Sequence, residues 1–513
     1  MPSISNVADR HIVIDKRDDQ YICFPDVVRA DDGRLVVAYN EADKHVTPGR
    51  RTLLVRQSFD NGRTWDDIVR LGDDWSHCPR LIKLTNGDLL LSDSYRRFHI
   101  SRDSGDTWEV MQANGLEHDM IDRVTDLGED VFLTTGHLHR GTAEQPAIRQ
   151  APTEQMAYRS DNGGKDWLAL GAIGRERNLV LCEASMTRLA DGRIAALMRE
   201  NSFVYEPMYL CLSEDEGDTW SDPIPTPLIG HRPTMGLVPD GRLLVTYRNV
   251  GPDMGTSAWL GTLDKLCSGF KVHGRHADPA NPVLTKDGLR VSNTSGDCSV
   301  VRYVLRPMTD PRSAKAVLEA EVRVDEADAN ACALRLGVWW RITPNSIEPD
   351  VDDAQPIPIE QGQFHTIRLE YAAGRVTLNV DGDERASIVV DDDHADTRPI
   401  LFGAPYPFED NAVDCTWRRV SLSIEEPRLQ RRYDWKWTPE MGLPDQWVLD
   451  NILELRNARY TSPPDFGYSG WTMLDDENVF CTYHHIDGDD EEYDPLFTSH
   501  VAGSFFSLDD FGK

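Results

Sequence analysis

One eight-residue phrase recurs four times in the first half of this chain and restricts the fold more than any other feature. The copies are Ser58-Phe-Asp-Asn-Gly-Arg-Thr-Trp65, Ser101-Arg-Asp-Ser-Gly-Asp-Thr-Trp108, Ser160-Asp-Asn-Gly-Gly-Lys-Asp-Trp167 and Ser213-Glu-Asp-Glu-Gly-Asp-Thr-Trp220. They follow Ser-x-Asp-x-Gly-x-Thr-Trp, with two departures in the third copy. Each reads as a β-hairpin turn: Ser and Asp side chains bond the local backbone, Gly takes a positive φ, and Trp covers the turn with apolar surface. The copies start 43, 59 and 53 residues apart, the spacing of one four-stranded unit per repeat.

A second repeat runs out of phase with the first: a strand, a turn rich in Asp and Gly, and a returning strand. It spans Phe24 to Glu41, His77 to Asp93, His118 to His137, Cys182 to Glu200, His231 to Arg248 and Gly467 to His485. Dense, β-branched apolar residues mark each copy as an inner hairpin buried on both faces. Six copies predict an all-β, six-bladed propeller, closed by pairing the N-terminal strand beginning at His11 with the last blade, which removes exposed sheet edges.

The fifth and sixth copies stand more than 200 residues apart, too far for a connection between blades. Between about 277 and 430 the sequence alternates apolar and polar residues over long strands, the signature of a separate antiparallel sandwich. The expected division is blades one to five in 1–276, an inserted jelly roll in 277–430, and blade six with ring closure in 431–513. The strand pattern of the insert resembles laminin-G or concanavalin-like modules.

Composition narrows the partners. With 86 acidic against 54 basic side chains and a formal charge of -32, the chain lacks the basic face that nucleic acid or an anionic membrane requires. Nine singly scattered cysteines without a CxxC read as free thiols. The start lacks the basic and apolar regions of a secretory signal, so a cytoplasmic location is expected. Acidic clusters at Asp350, Asp352 and Asp353, at Asp391 to Asp393, and across Asp487, Asp489, Asp490, Glu491 and Glu492 lack the ligand spacing of a calcium loop. Neither a metal nor a cofactor is expected.

If each inner strand leaves one axial mouth and its partner returns there, both hairpin ends converge on that mouth. The starts contribute Asp26, Arg80, His118, Asp119, Glu183, His231, Arg232 and Tyr468. The returns contribute Asn40, Glu41, Asp93, His137, Arg199, Arg248, His484 and His485.

The four Ser-x-Asp-x-Gly-x-Thr-Trp phrases resemble the Asp boxes of the sialidase-like, or BNR-repeat, propellers, over the chain outside the insert. That resemblance implies a Tyr nucleophile, met here by Tyr468 in Phe466-Gly-Tyr-Ser-Gly-Trp471, and a Glu that accepts its proton, met by Glu183 in Cys182-Glu-Ala-Ser-Met-Thr-Arg188. Arg199 follows as a carboxylate-binding arginine does. A phenol with a pKa near 10 needs such a base at neutral pH, and sialidases depart from the paired-carboxylate rule in this way. For the general acid, Asp43 is the nearest match, with Glu41 and His45 as rivals. Sialidases open with an Arg in a Phe/Tyr-Arg-Ile-Pro phrase; here Ile22-Cys-Phe-Pro25 puts Cys23 in its place. Arg80, Arg232 or Arg248 would then supply guanidinium groups, with Asp26, His137, His231 and His484 completing the substrate-binding set.

The expected function is exo-hydrolysis of a terminal sugar, acidic sugars included, on an oligosaccharide or glycoconjugate. The histidine-rich mouth leaves open a uronate lyase or an α-L-rhamnosidase on the same propeller, with Tyr468, His484 or His137 as base. A non-catalytic glycan-binding propeller is the third reading.

Overall fold

A computed structural model of the protein describes residues 1–512 except 46–50, 73–75, 94–95, 119, 140–152, 175–178, 203, 277, 279–280, 294–299, 329–330, 391–398, 406–411, 462–464 and 488–498. Asp119, the cluster from Asp391 to Asp393, and Asp489 to Glu492 therefore lie outside the described residues.

Six antiparallel sheets form the blades of a propeller. Blade one runs Tyr21–Arg29, Leu35–Ala42, Arg51–Ser58 and Val69–Gly72, and blade two runs Arg80–Lys83, Leu89–Asp93, Arg97–Ser101 and Glu109–Gln112. In blade three the first strand is broken into Met120–Ile121 and Thr125–Gly128, followed by Val131–His139, Thr153–Ser160 and Leu168–Ala172. Blade four comprises Leu181–Arg188, Ile194–Glu200, Tyr209–Ser213 and Ile224–Pro225. First strands of neighbouring blades pack on one another around the centre. Second strands such as Ile194–Glu200 and Leu243–Asn249 are buried along their whole length, because each is covered on both faces by adjacent blades.

Each repeated phrase joins the third and fourth strands of its blade. In the first copy, Ser58 Oγ donates to Asp60 Oδ1 at 2.8 Å and accepts from the Gly62 amide at 2.8 Å. Asp60 also takes the Thr64 amide and hydroxyl at 2.8 and 2.7 Å, and Trp65 Nε1 donates to Gly62 O at 3.1 Å. The third copy exchanges the two chemistries: Asn162 Nδ2 donates to Asp166 Oδ2 at 2.7 Å. These turns wedge against the preceding blade. Gly105 faces Val36 and Gly164 faces Met111 with little room for a Cβ, and Gly217 rests against Leu133 at ordinary contact distance.

Blades five and six lack the phrase for topological reasons. Blade five consists of Gly230–Leu237, Leu243–Asn249, Gly255–Gly261 and Ile452–Asn457. The long insertion thus lies inside this blade, between its third and fourth strands, where the other blades carry the turn. This corrects the expected position between blades five and six. Its strands also reach beyond 277–430, from His273–His276 to Arg431–Trp437. Blade six combines Ser469–Met473, Asn478–His485 and His500–Ser507 with the N-terminal strand His11–Asp15, pairing His11 with Ser504 and Ile12 with Gly503. A chain-end strand replaces the turn there.

The inserted segment forms a seven-stranded and an eight-stranded antiparallel sheet. Trp340 and Phe402 from one and Leu318, Leu369 and Trp417 from the other share a buried core. Lys315–Ala327 alternates buried and half-exposed positions along its length, as a strand facing one core must. The insert meets the propeller through Ile229, Phe270, Val304 and Leu401. A polar knot adds to this contact: Thr309 Oγ1 donates to Glu206 Oε1 at 3.0 Å, while buried Glu426 holds Arg306 at 2.9 Å and the Thr309 amide at 2.6 Å.

Candidate active site

The inner strands share a backbone irregularity at the mouth. The phrases Cys23-Phe-Pro-Asp26, Cys182-Glu-Ala-Ser185 and His231-Arg-Pro-Thr234 each slip register by a bulge. Their second residues take left-handed backbone: Phe24 at φ 56°, Glu183 at 49° and Arg232 at 49°. Cys78 of blade two, at 53°, and Gly467 of blade six, at 77°, occupy the same place. A non-glycine residue held there costs of order 1–3 kcal/mol. The bulge also reverses the alternation of side chains, so Glu183 and Arg232 face the axis where a regular strand would bury them between blades.

At this point Tyr468 and Glu183, 285 residues apart in sequence, meet. The Tyr468 hydroxyl donates to Glu183 Oε1 at 3.1 Å. Arg199 Nη1 donates both to Glu183 Oε2 at 2.7 Å and to the Tyr468 hydroxyl at 2.8 Å. Arg199 Nη2 is tied to Asn201. The Arg232 and Arg248 guanidinium groups lie 5.9 and 5.8 Å from the Tyr468 ring centre. Arg232 is steadied by Asp122 Oδ1 at 3.3 Å and Cys78 O at 3.0 Å.

The electrostatics follow from burial and charge. Burial alone would raise the Glu183 carboxyl, but the charges of Arg199, Arg232 and His137 outweigh it and hold the group well below its usual range. The Tyr468 phenol is pushed above 10, first by burial and then by Glu183, against the opposing pull of Arg199 and Arg248. Burial, then the charges of Arg199 and Arg248, drives His231 well below 6.5. The site therefore holds a neutral phenol bonded to a carboxylate under a cluster of positive charge.

Beside this triad, one carboxylate gathers two imidazoles. Asp465 accepts from His45 Nδ1 at 2.8 Å, from His484 Nε2 at 3.2 Å and from the Tyr21 hydroxyl. The His484 ring stands edge-on to Tyr468 at 5.5 Å, and Phe24 packs against both Tyr468 and His45 at 5.2 Å. Burial would raise the Asp465 carboxyl; hydrogen bonds from both histidines override it and lower it far below the usual range.

Other residues expected at the mouth are placed differently. Asp26 and Arg80 are buried ties between blades. Asp26 receives the Leu81 amide at 2.9 Å and pairs with Arg123, while Arg80 donates to Thr234 Oγ1 at 3.0 Å, Pro233 O at 3.2 Å and Ser469 O at 3.3 Å. Burial, then repulsion from Arg232, lowers the Arg80 pKa to about 9. Asp43 is exposed on its loop. Glu41 pairs with Arg17 and with Arg70, the latter at 3.0 Å. Of the three acid candidates, His45 alone bonds a residue that also bonds a ring neighbour of Tyr468. His137 is buried opposite Met120 and reaches the site through its charge.

Asp465, Phe24 and Asn201 escaped the sequence reading. A signal for the first two existed: Asp465 immediately precedes Phe466-Gly-Tyr468, and Phe24 aligns with Glu183 in the inner-strand phrase. A cavity of about 190 Å³ lined by Glu200, Tyr205, Glu206, Ile229, His231, Arg248, Val250 and Met254 opens beside Arg248. A larger cleft of about 840 Å³, between the Trp220 turn and Arg428 to Arg431 of the insert, contains none of these groups.

Comparison with solved structures finds a protein of unknown function from Dyadobacter fermentans at 14% identity, covering 97% of each chain with a TM-score of 0.49. Trypanosoma rangeli sialidase in complex with the inhibitor DANA is 13% identical, covering 80% of this chain and 83% of that one, TM-score 0.34. Penicillium chrysogenum α-L-arabinanase complexed with arabinobiose is 15% identical, covering 55% and 92%, TM-score 0.39. No curated protein matches the chain. At these values the sheet order remains the basis of the fold. Residues 90–253, from the second strand of blade two to the loop before the third strand of blade five, match the BNR repeat-like domain.

Proposed function

We propose that the protein hydrolyses a terminal glycosidic bond, with Tyr468 as nucleophile and Glu183 as the base that takes its proton. The observation that carries this reading is the triangle of Tyr468, Glu183 and Arg199. A phenol buried for packing alone needs one partner; this one bonds a base and a cation together.

The triangle suits proton transfer for a specific reason. As the proton passes from the Tyr468 hydroxyl to Glu183 Oε1, the negative charge moves from carboxylate to phenolate. Arg199 Nη1 already touches both residues, so its positive charge stays beside the negative charge before and after transfer. That arrangement offsets the burial that raises the phenol pKa, and it needs no reorganisation during the reaction. A tyrosine in place of the second carboxylate is an established variation among glycosidases.

Arg232 and Arg248 on the remaining sides of the Tyr468 ring favour a sugar that carries a carboxylate. Blade one offers Cys23 and Phe24, where the sialidase phrase has its arginine, which favours a uronic over a sialic acid. The test uses aryl glycosides of uronic, sialic and neutral sugars together with uronate polymers. Released phenol is the expected result. An unsaturated product absorbing in the ultraviolet instead indicates a lyase, and inertness across the panel refutes the enzymatic reading.

A further inference from the structure

The Asp465 cluster lies outside the triad, and its geometry assigns it a task. We propose that His45, seated on Asp465, is the general acid and base of the reaction, and that Asp43 is not. This inference rests on the hydrolase reading and adds to it the group that protonates the departing oxygen.

Three observations carry it. First, Asp465 collects His45, His484 and Tyr21 on one carboxylate. An ionised carboxylate only accepts hydrogen bonds, so the hydrogen between it and His45 sits on Nδ1, which leaves Nε2 to give a proton from the imidazolium and to take one as the neutral ring. Secondly, His45 is about one-third exposed while Asp465 beneath it is largely covered, so the imidazole faces solvent space and the carboxylate anchors it. Thirdly, the Phe24 ring contacts both His45 and Tyr468 at 5.2 Å, which sets the imidazole one ring away from the nucleophile. A sugar held over Tyr468 would present its leaving oxygen toward that side. Asp43, two residues earlier, is exposed and has no contact to the triad or to Asp465 among the described residues.

The steps balance. In the first, the Tyr468 oxygen bonds the anomeric carbon as the glycosidic carbon–oxygen bond breaks; Glu183 takes the phenol proton, and His45 Nε2 gives its proton to the leaving oxygen. In the second, neutral His45 takes a proton from water, whose oxygen bonds the anomeric carbon as the Tyr468 bond breaks, and Glu183 returns the proton to Tyr468. Asp465 acts as a positioning residue. Besides Asp465, the charged and titratable groups facing His45 are Tyr21, His77, His484 and Arg51, whose Nη2 holds the His45 carbonyl.

The experiment compares wild type, His45→Asn, Asp43→Asn, Asp465→Asn and Asp465→Glu on aryl glycosides whose leaving phenols span a range of acidity, with melting curves to confirm folding. His45→Asn should lose about 100- to 1,000-fold on a poorly acidic phenol, within the range for general acid catalysis, but under about tenfold on a dinitrophenol, which departs without a proton. Azide should accelerate that variant on the dinitrophenyl substrate and yield a glycosyl azide. Asp465→Asn should reproduce part of the leaving-group dependence of His45→Asn, and Asp465→Glu, which keeps a carboxylate for the imidazole, should recover toward wild type. If wild type is active and His45→Asn is unimpaired or equally impaired on every leaving group, the inference is overturned while the hydrolase stands. The same holds if Asp43→Asn shows the leaving-group dependence. A wild type inert on all glycosides removes the hydrolase reading, and this inference with it.

Discussion

Replacing Tyr468 with Phe separates the two roles of its hydroxyl. The substitution keeps the ring against Phe24 and His484 and removes an oxygen that donates to Glu183 at 3.1 Å and accepts from Arg199 at 2.8 Å. Hydrogen bonds to charged groups contribute about 1.5–3 kcal/mol each. Glu183 and Arg199 remain paired at 2.7 Å, so neither charge is stranded, and the buried phenol no longer needs desolvation. The net loss of stability should therefore be small, about 1–2 kcal/mol. Activity should respond very differently, because removal of a nucleophile leaves only binding and electrostatic assistance: a fall of at least about 1,000-fold in kcat is expected. Urea unfolding gives the first quantity and steady-state cleavage of an aryl glycoside the second. A variant that keeps a tenth of wild-type turnover would show that the phenol is not the nucleophile. A loss above about 4 kcal/mol would instead show a cooperative structural network, as breaking a buried ion pair does.

Four further outcomes follow from the structure. Gly467→Ala places a Cβ at 3.1 Å from Arg248 Cα on backbone at φ 77°, so stability should fall by about 1–3 kcal/mol with a larger drop in turnover, since Tyr468 is the next residue; unchanged kinetics would contradict this. The lowered Asp465 pKa contributes stability that is present above the ordinary carboxylate range near pH 4 and is lost as pH falls toward its folded value; the urea midpoint of Asp465→Asn should therefore lie below that of wild type at pH 6 and converge with it in acid, and parallel curves would be inconsistent. Asn162→Asp sets two carboxylates together in the third turn and should lower the melting temperature, while adding Asp166→Thr recreates the other three turns and should restore it; additive losses would refute the exchange. Glu426→Ala leaves Arg306 buried without its partner and should cost about 3–5 kcal/mol, and because Thr309 then loosens on Glu206 at the cavity beside Arg248, KM should rise in any folded population; an unchanged KM would uncouple the insert from the mouth.

Much of the architecture was legible in one dimension because its causes are local. The Ser-x-Asp-x-Gly-x-Thr-Trp turns close by hydrogen bonds within five residues, so the phrase carries its own conformation wherever it occurs. The inner hairpins announce themselves through apolar strands around an Asp-Gly turn, and six of them mean six blades. The pairing of Tyr468 with Glu183 was readable from the resemblance of their two phrases to those of sialidases, together with their positions near the starts of inner strands.

What stayed hidden depends on how the ring closes. A strand is assigned to a blade by its hydrogen-bond partners, and Ile452–Asn457 joins blade five across nearly 200 residues of insert with nothing local to mark it. Asp26 and Arg80 stand two residues beyond the left-handed position that Glu183 and Arg232 hold in their own repeats, and there they are buried as ties between blades, a difference that polarity patterns do not encode. His45 and Asp465 are 420 residues apart, on loops outside the repeats. The chain alone determined the number of modules and the chemistry at their ends; packing six twisted sheets around one axis decided which of those ends meet around Tyr468 and which lock the hub.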